Sequence, residues 1–134
     1  VDPSNAEQLL ADKTEAWSLK KQAMAVLVEG DQETASRLWM EAAGKHPEPL
    51  AKASYLWNSA CCLVAYKDAN NDWRIDKKRA SLKENSSRAL SLLEQAKSRA
   101  EEESPYCTSS INRQDLLRLI DLVRKWVETY AVQD

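Results

Sequence analysis

Glycine is almost missing from this chain of 134 residues. With only Gly30 and Gly44 there is no glycine-rich loop to cradle a phosphate. Histidine occurs once, at His46, which excludes a two-histidine metal site within one chain and leaves a Cys–His dyad only if His46 meets a cysteine. The three cysteines cannot all pair. Cys61 and Cys62 are adjacent, lack the two-residue gap of redox or zinc pairs, and fit small buried hydrophobes in a reduced, cytoplasmic setting. No run approaches the ~18 apolar residues of a membrane span, so no membrane insertion is expected, and the first residues lack a signal-peptide core. Val1 in place of Met points to a processed, truncated or tagged form. A net charge of -2 with both signs interleaved offers no basic face for nucleic acid. Phenylalanine is absent, and five Trp and four Tyr supply the aromatic bulk.

What remains is helix-forming material. The chain is 43% hydrophobic and 30% charged, ordinary for one domain that buries its own core, and Ala, Leu, Glu, Lys, Gln and Arg recur throughout. Periodicity predicts five helices. The first spans about 5–29: Ser4 and Glu7 read as a capping box, and Leu9, Leu10, Ala16, Trp17, Ala23, Met24, Leu27 and Val28 recur every three or four residues. Gly30 suits the left-handed cap that ends it, and Asp31 the N-cap of a second helix over 32–45. His46-Pro47-Glu48-Pro49 forces a reversal. A third helix is expected over 50–68, burying Leu56, Ala60, Leu63 and Val64, followed by an Asn/Asp turn at 69–72. A fourth, over 74–103, begins with a charged, weakly amphipathic stretch at 76–84, stops at Ser104-Pro105, and leads through a loop at 106–110 to a fifth helix over 111–132. Leu116, Leu119, Ile120, Val123, Trp126, Val127 and Tyr130 give that last helix the broadest apolar stripe, suited to capping the others or to forming a homodimer.

Gly30-Asp31 followed by Ala35, Trp39, Ala42 and Pro47 resembles the second half of a tetratricopeptide (TPR) unit, in which small residues admit a neighbouring helix, an aromatic fills the seam and a proline closes the hairpin. Leu19 with Ala23, Leu56 with Ala60, and Ala89, Leu93 and Ala96 echo the pattern. The resemblance covers about 16–100. It implies an all-α fold: a five-helix, TPR-like right-handed array of helical hairpins, 16–49 and 50–103, with a capping helix over 111–132, all within a single domain over 1–134. Departures are visible too. Gln22 replaces a large aliphatic residue, no proline follows Ala96, and the second unit is roughly twenty residues longer than the 34-residue repeat, with the excess mostly at 68–83. The Gly30–Ala35 stretch also suits an MIT-like helical hairpin, although Pro47 and the helix count favour TPR-like packing, and a plain bundle gives the same alanine spacing.

In a TPR-like array the first helix of each pair lines the concave groove. That places Trp17, Lys20 and Met24 of the first helix beside Trp57, Cys61 and Val64 of the third, with Trp17 and Trp57 suiting either groove or core. The resemblance therefore implies a non-enzymatic adaptor, assembly factor or small chaperone that binds a peptide or helix of a protein partner, Lys20 or Lys21 orienting an acidic group. The clamp that some TPR proteins close on a terminal carboxylate is broken, because Met24 and Cys61 stand where it uses asparagines. No cofactor or metal is implied. Asp68, Asn70 and Asp72 alternate like calcium ligands, but Trp73 replaces the required glycine and Arg79 the closing glutamate, so an Asn/Asp turn is the expectation. Lys77-Lys78-Arg79 with Lys83, flanked by Asp72, Asp76 and Glu84, reads as a solvated face, and His46 as a helix-terminal histidine favoured by the dipole.

Overall fold

The computed structural model describes residues 3–102 and 110–131. Helix α1 (Pro3–Val28) starts ahead of the expected capping box, with Ser4 already in its first turn. Its end follows the sequence closely. Gly30 takes φ +88°, its N–H donates to Leu27 O, and the Asp31 N–H donates to Val26 O, both at 3.0 Å. This is a Schellman closure, and glycine supplies the left-handed residue it needs without a Cβ clash. Asp31 then opens the next helix, its carboxylate accepting the Thr34 N–H at 3.0 Å.

Helix α2 (Gln32–Lys45) returns along α1. Ala16 and Ala23 of α1 and Ala35, Ala42 and Ala43 of α2 are buried, small enough for two backbones to close up. The other side of α2 meets α3 (Pro49–Val64). There Ser36 and Ser59 are fully buried and exchange bonds: Ser36 Oγ donates to Ser59 O at 3.0 Å and Ser59 Oγ to Ser36 O at 2.8 Å. Each hydroxyl thereby avoids the desolvation cost of an unpaired buried donor and fixes the helix register.

The expected third and fourth helices give way to other structure around residue 65. Helix α3 stops at Val64, four residues early, and strands β1 (Ala65–Lys67) and β2 (Trp73–Ile75) pair antiparallel with Ala65 opposite Ile75 and Lys67 opposite Trp73. Short helix α4 (Lys77–Ala80) and long helix α5 (Lys83–Glu101) follow. Two signals explain the change. Tyr66, Trp73 and Ile75 are β-formers, and Asp76 caps α4 by accepting the Arg79 N–H at 3.2 Å.

Helix α6 (Arg113–Tyr130) is capped by Asn112 and packs on α5 and α3, burying Leu116, Ile120, Val123 and Val127 at spacings of four, three and four. The order of packing is α1 on α2, α2 on α3, α3 on α5 and α5 on α6, around one continuous core. The class is all-α, with six helices among the described residues where five were expected, plus the small hairpin. The expected stop at Ser104-Pro105, the loop over 106–109 and the end of the last helix at 132 fall outside the described residues.

Candidate functional site

Along the crease between α1 and α3 runs a groove of about 680 Å³, walled at one end by the β-hairpin. A second hollow of about 410 Å³ continues it toward His46, and the two share Lys20, Ser54 and Tyr55. The α1 wall is one helical face: Lys13, Trp17, Lys20, Met24, Leu27 and Val28. Trp17 and Met24 are each 48% exposed and Val28 89%, so this wall presents apolar surface to solvent. Opposite, Tyr66 of β1 is also 48% exposed.

The hairpin is held as a rigid lip. Asp68 Oδ1 accepts the N–H groups of Asn70 and Asp72 at 2.8 and 3.0 Å, and Arg74 Nε donates to its Oδ2 at 2.8 Å. The Arg74 bond, with these backbone donors, holds the Asp68 carboxyl below its ordinary range. The apparent calcium loop is therefore a loop staple whose leading carboxylate is already engaged, and Asn71 supplies its left-handed residue at φ 63°. Trp73 Nε1 donates to Asn58 Oδ1 at 3.4 Å, Gln32 Nε2 donates to Ala65 O, and Asp76 N–H donates to Val64 O at 2.9 Å, fastening the hairpin to α3 and α2. Lys67 Nζ sits 4.6 Å from the centre of the Trp73 ring and donates to Asn71 O at 3.2 Å.

Arg79 belongs to the same support and not to a solvated basic face. Its Nε donates to Leu63 O at 3.2 Å and its Nη2 to Cys62 O at 3.1 Å. With Ala65 N–H on Cys61 O and Asp76 N–H on Val64 O, all four terminal carbonyls of α3 have donors. Helix α3 can therefore stop abruptly and release the chain into the lip.

The residues expected to meet a partner divide between groove and core. Lys20 and Met24 line the groove, Trp17 lines its extension, and Lys21 is exposed on the adjoining flank of α1. Cys61 and Val64 are fully buried and have no surface for a partner, because the α3 face that carries them packs inside the core. Burial raises both adjacent thiols, Cys62 to about 12, so both stay protonated and un-nucleophilic at neutral pH. Trp57 turns away from the groove to α6, where its Nε1 donates to Leu119 O at 3.2 Å. Sequence reasoning did not assign to the groove Tyr55 and Asn58, which reach it from α3, or Tyr66, Lys67 and Trp73, which reach it through the hairpin. The one legible signal for the hairpin residues was alternation in Trp73-Arg74-Ile75, hidden by the charged residues around it.

At the far end, His46 is buried, its Nδ1 accepting the Glu48 N–H at 3.1 Å and its ring edge-on to Tyr55 at 5.6 Å. Burial lowers its pKa against the opposing pull of Glu48. The expected charged, dipole-stabilised histidine is thus a neutral one folded into the α2–α3 turn, where the accepting nitrogen must stay unprotonated. Among the described residues no three His, Cys, Asp or Glu side chains are grouped to hold a metal ion. No helix among them is long and apolar enough to cross a membrane. No family model matches the chain, and no curated protein or solved structure does either.

Proposed function

We propose that the protein is a non-enzymatic, TPR-like binding module that holds a segment of a partner protein in the α1–α3 groove. The observation that carries this reading is the exposure of Trp17, Met24 and Tyr66 along one continuous trough, where a monomer with no partner gains nothing from leaving large apolar groups wet. The two volumes lie in the range of ligand-sized clefts. Cys61 and Cys62 are buried away from the groove, and His46, at the end of its extension, is buried with its Nδ1 engaged by the Glu48 N–H. The alanine-lined α1–α2 crossing and the serial packing of α1, α2, α3 and α5 support TPR-like stacking, and adaptor, assembly-factor or chaperone roles all use such a groove.

A photo-crosslinking residue placed at Met24 or, as a control, at Arg118 on the exposed side of α6 tests the assignment. Crosslinks to a partner are expected from position 24 and not from 118, and Tyr66→Glu should abolish them. Equal crosslinking from both positions refutes the groove.

A further inference from the structure

The exposed face of α1 has a second regularity. Leu10, Lys13, Trp17, Lys20, Met24 and Leu27 follow one another at alternating steps of three and four, the spacing of a coiled-coil seam, and Trp17, Lys20 and Met24 on it face the trough. From Lys13 to Val28 this face spans about 22 Å at 1.5 Å per residue, four turns of a docked helix.

Charge on the trough is one-sided. Lys13 is matched by Glu48 at 3.6 Å, and the Asp68 carboxylate is taken up by Arg74. Among the described residues Lys20, Lys21 and Lys67 have no carboxylate within ion-pair distance; Lys67 rests on an aromatic ring and a carbonyl instead. A second copy of α1 would bring further lysines and no carboxylate to the seam, which disfavours self-docking.

Resting on the groove reading above, we propose that the occupant is an acidic amphipathic helix of another protein, about four turns long. Its apolar stripe packs on Trp17, Met24 and Tyr66. Its Asp and Glu side chains, one turn apart, meet Lys20 on one wall and Lys67 on the lip, with Lys21 at the margin.

Display of random peptides of about 16 residues against the protein and against a Lys20→Glu/Lys67→Glu variant tests this, with circular dichroism confirming that the variant keeps its helices. The wild type should enrich peptides with apolar residues three and four apart and an excess of Asp and Glu. Those peptides should bind the variant about tenfold more weakly, lose affinity with added salt, and lose it again when a central residue is changed to Pro. The variant should enrich Lys and Arg instead. Enriched peptides that compete for the groove but carry no acidic excess, ignore the charge reversal or tolerate the central Pro overturn the acidic helix while leaving the groove standing. No enrichment on the wild type removes the groove as well.

Discussion

Arg79→Ala is the most telling test of the hairpin's support, because one guanidinium closes two of the four terminal carbonyls of α3. Hydrogen bonds from a charged donor contribute about 1.5–3 kcal/mol each. The site is only half-buried, so water partly replaces the lost donor, and a total near 2–3 kcal/mol is the reasonable expectation. At about 2.1 cal/mol/K per residue, the unfolding entropy of a chain this size converts each kcal/mol into about 3.5 °C, or roughly 7–10 °C of melting temperature. Urea denaturation and thermal melts supply the readout. Arg79→Lys keeps the charge but loses the two-point reach, and should recover about half of the loss. Lys78→Ala, an exposed neighbour, should stay within about 0.5 kcal/mol of wild type. If Arg79→Ala melts like Lys78→Ala, the carbonyls are satisfied by water and the capping argument fails.

Two other predictions concern His46 at the far end of the trough and Trp57 on the side of α3 that meets α6. His46 has a folded-state pKa held below its ordinary 6.5 by burial; the unfolded chain therefore takes up a proton that the folded chain resists, and stability, complete above that value, declines as pH falls below it. Lys13 and Lys52 reinforce the depression and Glu48 opposes it. Urea midpoints should show this slope in wild type and a flatter one in His46→Asn, whose oxygen can still accept the Glu48 N–H; equal slopes would assign the acid sensitivity elsewhere. Trp57→Ala should destabilise by about 2–4 kcal/mol through loss of packing and of the bond to Leu119 O on α6. Trp57→Phe, which keeps most of the bulk, should leave partner crosslinking from position 24 unchanged; its loss in a folded Trp57→Phe would return Trp57 to the groove.

The sequence was most legible where local chemistry and tertiary structure ask for the same residue. Gly30-Asp31 is both a helix stop and a helix start, and the structure uses each atom group that the pattern named. Alanine spacing located the buried crossing at Ala16, Ala23, Ala35 and Ala42. Legibility failed between 65 and 83. There Lys77, Lys78 and Arg79 look alike as letters, yet Arg79 reaches two carbonyls of another element while Lys77 and Lys78 stay exposed. The Asn/Asp turn expected at 69–72 is present, with Asp68 as its staple, but the strands it joins were not legible.

Local forces therefore wrote most of the helices, the Gly30-Asp31 stop and start and the all-α class into the sequence, since each depends on residues within a turn of one another, whereas the end of α3 is closed by the distant Arg79. That Cys61 and Val64, which the sequence suited both to burial and to a groove, have no groove surface, that Tyr66 and Lys67 stand at the lip, and that Trp57 belongs to α6 were decided only by tertiary packing. Periodicity finds an apolar stripe but not its partner, and a helix with apolar residues on most sides, such as α3, is oriented by the neighbours that compete to cover it.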